Sequence, residues 1–158
     1  MDIELQLAVE NLLARYVHAL DEDRLEAWPD FFVETGCYRI TTAENHEQGL
    51  PIPILYADSR AMLRDRVSAL RHANIYESQR YRHTVSATLV ERRDANTALA
   101  ASHFQVLRIM HTGETTLFAS GRYLDRVRLN GDRGAPQFEE KIVVCDSRRF
   151  DTLLAIPL

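Results

Sequence analysis

The chain has 158 residues, of which 46% are hydrophobic and 27% charged, with a net charge of −4. That length suits one domain, and folding buries about 68–70% of the surface of such a chain. Scattered basic residues on a negative balance argue against nucleic acid as a partner, and no apolar run approaches the roughly 18 residues of a membrane span. The opening residues, with Asp2 and Glu4, lack the basic-then-apolar order of a secretory signal, so a cytoplasmic protein is expected. Lys141 is the only lysine. The arginine bias fits ion pairs between subunits, and a GC-rich genome explains it equally well. Cys37 and Cys145 are read as free, packed thiols.

The stretch 2–40 organises the chain. Leu5, Val9, Leu12, Leu13, Tyr16, Val17 and Leu20 recur at helical spacing and form one apolar stripe. Asp2 is placed to cap this helix. The run Asp21-Glu22-Asp23 ends it, and Asp23 with Glu26 reads as a capping box for a short second helix. Trp28, Phe31 and Phe32 then supply three rings to anchor helix against sheet. A strand is expected over 37–42 and a loop over 43–53. A third helix follows from Asp58 or Ser59 to about Ala73, with Met62, Leu63, Val67 and Leu70 inward and Arg60, Arg64, Asp65, Arg66 and Arg71 outward.

From Tyr81 the periodicity changes to that of strands. Residues 82–93 place His83, Val85, Ala87 and Leu89 on one face. Asp94-Ala95-Asn96, Thr112-Gly113-Glu114 and the segment from Asn130-Gly131 to Pro136 read as turns, so strands over 97–110, 115–129 and 138–147 follow. Gly121 marks a bulge or bend. The apolar stretch 152–158 is tucked into the core or docked on another chain. Helices followed by hairpin-linked strands imply α+β, with a strongly bent antiparallel sheet wrapped around the first helix over 1–158.

The histidines His18, His46, His72, His83, His103 and His111 form no helical i,i+4 pair and no His-Glu-x-x-His. Two cysteines, far apart and each without a nearby histidine, supply neither a Rieske nor a ferredoxin set. No facial triad of two histidines and a carboxylate is evident. No phosphate-binding glycine loop and no Gly-x-Ser-x-Gly elbow occurs. What remains is an acid–base arrangement inside the cone: His83 on the inward parity, Asp21 at the end of the helical stripe, and Tyr16, Tyr38 and Tyr123 lining the same hollow. The structural reading makes His83 a hydrogen-bonded core histidine and Asp21 a helix end. Arg92-Arg93 and Arg148-Arg149 read as surface charge. Asp125 falls on the core-facing parity and needs a partner such as an arginine.

Several segments resemble the small (β) subunits of aromatic-ring-hydroxylating dioxygenases. They are Trp28-Pro29-Asp30-Phe31-Phe32-Val33-Glu34-Thr35-Gly36-Cys37-Tyr38-Arg39, Glu44-Asn45-His46-Glu47-Gln48-Gly49-Leu50-Pro51, Ala61-Met62-Leu63-Arg64-Asp65-Arg66-Val67, Arg82-His83-Thr84-Val85-Ser86 and Gly121-Arg122-Tyr123-Leu124-Asp125. The likeness covers nearly the whole chain and is nearest to anthranilate- and salicylate-type terminal oxygenases. It implies a cone of the nuclear-transport-factor-like, cystatin-like type. It also implies a cofactor-free scaffold that joins other β subunits and an α subunit in an α3β3 assembly, the α subunit holding the Rieske cluster and the mononuclear iron. No catalytic, cofactor or metal residue is then expected in this chain. Related cones form dehydratases and isomerases, and for that alternative the site residues are His83, Asp21 and Tyr38. A small-molecule binding module with the same cavity is the third reading.

Overall fold

The computed structural model describes residues 1–50, 52–72, 77–147 and 156–158. Helix α1 (Ile3–Asp21) starts where Asp2 Oδ1 accepts the Leu5 N–H at 3.1 Å, the cap expected from the sequence. Six of its seven stripe residues are buried, Val17 is half-buried, and Ala19 joins the buried face. The expected capping box does not form. Asp23 takes a positive φ of 58°. The 3-10 helix Leu25–Phe31 that follows is capped by Arg24 without any side-chain bond. Asp23 and Glu26 turn instead to Arg71 on helix α3 (Arg60–His72). Arg71 Nη1 donates to both Asp23 carboxylate oxygens at 3.0 Å, and its Nε donates to Glu26 Oε1 at 2.8 Å. A bidentate guanidinium competes better for these carboxylates than local backbone N–H groups do.

Strand β1 (Phe32–Thr42) begins five residues earlier than expected. The segment after it is not all loop, because Thr42 Oγ1 accepts the Asn45 N–H and caps a short helix α2 (Ala43–Glu47). Strand β2 (Leu55–Ala57) leads to α3, which buries Leu63, Val67 and Leu70. Met62, expected inward, is 38% exposed, since it lies just off the axis of that stripe. The third helix's expected end at Ala73 and the residues Arg148 and Arg149 lie outside the described residues, as does most of 152–158.

Strands β3 (Gln79–Arg92), β4 (Thr97–Met110), β5 (Thr115–Arg128) and β6 (Gln137–Cys145) form three successive hairpins. The sheet order is β2-β1-β6-β5-β4-β3. Every pairing is antiparallel except β1 with β6, which is parallel. The sheet is therefore mostly, and not wholly, antiparallel.

Bulges curl it. On β3 the register slips between Ser86 and Leu89, where Ala87 has a φ of 52°. One extra residue reverses the facing of everything beyond it. His83 and Val85 point inward as expected, but Leu89 is 75% exposed and Val90 packs on the core in its place. Further slips lie between Val106 and Leu107 and between Arg126 and Val127. Gly121, expected to mark a bulge, sits in regular register opposite Phe104 and Cys145. Its role is close approach, because a Cβ there would fall 1.9 Å from the Val144 carbonyl oxygen.

The concave face is packed with rings. Trp28 meets Tyr38 edge-on at 5.1 Å, Tyr16 meets Phe138 at 5.5 Å, and Phe104 stacks on Tyr123 at 4.5 Å. Ile156 and Leu158 join this cluster, so the part of the apolar stretch that is described lies in the core.

Candidate functional site

Asp21 is the last residue of α1, and His83 lies in β3 facing it. His83 Nδ1 is 2.6 Å from Asp21 Oδ1, and the His83 backbone N–H donates to Asp21 Oδ2 at 2.9 Å. The imidazole is completely buried and the carboxylate nearly so, at 6%. A carboxylate only accepts, so Nδ1 carries a proton toward it. Among the described residues Nε2, which is buried, has no hydrogen-bond partner. Tyr81 packs edge-on against the imidazole at 6.1 Å. The sequence thus named two residues that do meet.

Two of the three tyrosines, Tyr38 and Tyr16, are engaged by other partners. The Tyr38 hydroxyl donates to the Leu158 carbonyl oxygen at 3.1 Å and accepts the Leu158 N–H at 3.0 Å. Tyr16 donates to the same carbonyl at 2.8 Å and accepts from Trp28 Nε1 at 3.2 Å. Tyr123 lies against Lys141. Burial pushes all three phenols upward, so each keeps its proton at neutral pH. The residues expected to line one hollow instead fill it. A cleft of about 720 Å³ opens beside the helix end, lined by Asp21, Glu22, Asp23, Arg80, Tyr81 and Ile156 among others, and His83 is not part of its wall.

The feature that sequence reasoning missed is the partner of Asp125. It is not an arginine. Lys141 lies directly opposite on β6, with Nζ 3.2 Å from both carboxylate oxygens and both side chains wholly buried. Nζ also sits 3.6 Å from the centre of the Tyr123 ring, 4.6 Å from Phe138 and 4.7 Å from Tyr16. A cation held by one carboxylate and three ring faces is compensated on every side. Burial raises the Asp125 carboxyl to about 6 and lowers the Lys141 ammonium to about 8, each partly offset by the other's charge. The signal for this pair was in the sequence: the only lysine has the parity of Val143 and Cys145.

The thiols are poor metal ligands. Cys37 pairs opposite Glu140, while Cys145 pairs opposite Thr42, five positions along the same ladder. That places them about 16 Å apart. Burial pushes the Cys145 thiol up to about 12 and raises that of Cys37. Among the described residues no three of His, Cys, Asp and Glu gather into a metal-binding group. These donors fit neither a Rieske cluster nor a two-histidine, one-carboxylate iron site. Among the described residues no helix is long and apolar enough to cross a membrane.

Residues 1–133 match the SnoaL-like domain family. The chain is 49% identical to terephthalate 1,2-dioxygenase terminal oxygenase component subunit beta 1 of Comamonas sp over 155 residues, covering 98% of each. It is 39% identical to the anthranilate 1,2-dioxygenase small subunit of Burkholderia cepacia, covering 99% of this chain and 96% of the relative. The anthranilate likeness is therefore real, and the terephthalate subunit stands nearer. A crystal structure of a β subunit assigned to an aromatic-ring-hydroxylating dioxygenase of Novosphingobium aromaticivorans superposes with a TM-score of 0.87 at 35% identity. That match covers 97% of this chain and 96% of the other. A curled six-stranded sheet around α1 and near-full-length identity to two such subunits give one conclusion: the chain belongs to the SnoaL-like domain family and, within it, to the small (β) subunits of aromatic-ring-hydroxylating dioxygenase terminal oxygenases.

Proposed function

We propose that this chain is the cofactor-free assembly subunit of a cytoplasmic oxygenase that dihydroxylates an aromatic ring carboxylate. Its larger α partner carries the Rieske cluster and the mononuclear iron. Three copies of each subunit join as α3β3, and residues 1–158 act as one cone domain. The observation that carries this reading is the 49% identity over 98% of both chains to a terephthalate dioxygenase β subunit. The filled interior supports it too, as does a donor set that, among the described residues, suits no iron centre. When bound in the partner, the iron centres supply electron transfer and oxygen activation. In this reading the residues of this chain hold shape and surface: Arg71 ties α3 to the corner after α1, and Lys141 ties β6 to β5.

Co-expression with the large subunit tests it. The two chains are expected to co-purify, and the iron to follow the large subunit. Iron bound stoichiometrically by the small chain alone, or a small chain that never associates, would end the proposal.

A second reading rests on the 2.6 Å contact between His83 and Asp21 and on Nε2, which has no partner among the described residues. In that reading the pair is the base of a dehydratase or isomerase. His83→Asn separates the two, because its amide keeps a donor for Asp21 and removes Nε2. As a core residue, it lowers the thermal midpoint and leaves kcat/KM of the assembled oxygenase within about twofold. As a general base, its loss would cost roughly 10²–10⁴ in rate on that chemistry.

A further inference from the structure

At the base of the cone, side chains hold the main chain of one residue. Tyr16 and Tyr38 both donate to the Leu158 carbonyl oxygen, and the Leu158 N–H donates to the Tyr38 hydroxyl. Trp28 Nε1 donates to Tyr16 and fixes the direction of its hydroxyl. All four residues are fully buried, and Ile156 beside them is 6% exposed. Core residues of helices and strands usually bond their main chain within their own element. Here hydroxyls on two other elements, α1 and β1, donate two hydrogen bonds and accept the third. Apolar surroundings with a few polar groups aimed at the main chain of one residue are the design of a ligand pocket.

We propose that the base of the cone is a binding site for an apolar residue, reading its N–H and C=O through Tyr38 and Tyr16, and that residues 156–158 are its built-in ligand. The claim goes beyond the assembly role above and does not depend on it. The same site, relieved of Leu158, presents two tyrosine hydroxyls, one already oriented by Trp28, and an aliphatic slot. Its ligand class is a short apolar peptide containing an Ile-Pro-Leu sequence.

The test uses the full chain. Leu158→Asp puts a carboxylate in an apolar slot, which expels the segment. Trp28 is the only tryptophan, so its emission reports the site. Red-shifted emission is expected, reversed saturably by added Ile-Pro-Leu and not by Leu-Pro-Ile. Adding Tyr38→Phe to that variant is expected to weaken the peptide roughly tenfold, the scale of one to two hydrogen bonds. Unshifted emission, or equal response to the two peptides, overturns the proposal. If Leu158→Asp proves unfolded by circular dichroism, Tyr38→Phe alone decides in the otherwise unaltered chain. Hydrogen exchange at the Leu158 amide is then expected to rise about tenfold or more, and unchanged exchange refutes the site.

Discussion

Asp125→Leu is expected to destabilise the chain by about 3–5 kcal/mol, because it strands the Lys141 ammonium among three rings with no carboxylate to answer it. Asp125→Leu with Lys141→Met is expected to regain most of that loss, since a well-packed apolar pair replaces a buried ion pair at little or no cost. Urea unfolding of the three proteins measures both effects, and a double variant as weak as the single one would refute the account. The pH dependence follows with opposite signs at the two ends. Between about pH 4 and 6 the folded Asp125 keeps a proton that the unfolded carboxyl has released, so its contribution to stability falls as pH rises. Between about pH 8 and 10.5 the folded Lys141 has lost a proton that the unfolded amine still binds, so its contribution rises with pH. The double variant removes both slopes.

Gly121→Ala is expected to cost ~3 kcal/mol or more, the upper range for forcing an extra methyl into a packed site. The new Cβ would lie 1.9 Å from the Val144 carbonyl oxygen and 2.9 Å from its carbon, and both are backbone atoms of a paired strand. No side chain can rotate away, so β5 and β6 must part there. The urea midpoint should drop, and amide exchange should quicken in the rows around Cys145. Wild-type stability in this variant would mean that the ladder yields easily at that point.

The parts of the fold that repeat were legible. Seven apolar positions at helical spacing fixed α1 and its inner face, and Asn130-Gly131 and Thr112-Gly113 marked the hairpins that set the order of β4, β5 and β6. The meeting of Asp21 and His83 was also readable, from a helix end and a strand parity. What escaped depended on partners distant in sequence. Asp23 and Glu26 have the spacing of a capping box, but Arg71 takes them, and nothing near residue 23 announces an arginine 48 positions on. Leu89 kept the inward parity until Ala87 adopted a left-handed φ and turned the strand over. Gly121 stands out in the sequence as a glycine within a strand, but the pressure on it comes from Val144 across the sheet, not from a bend in its own strand. Asp125 advertised its need for a cation, but strand pairing alone, with a bulge at Glu139 between, decides that the cation is Lys141.

The parallel seam between β1 and β6 also governs when this molecule can complete itself. Thr42 leaves the ribosome 95 residues before Gln137 (137 − 42 = 95), which at usual translation speeds is roughly 5–20 s. Throughout that interval the long side of β1 has only three-residue β2 to cover its other edge, and Phe32 and Tyr38 lack the strand that will bury them. An uncovered strand edge beside exposed rings is the usual starting point for mispairing between nascent chains. The stability of the finished fold gives β1 no protection during that interval; only what shields the waiting edge does.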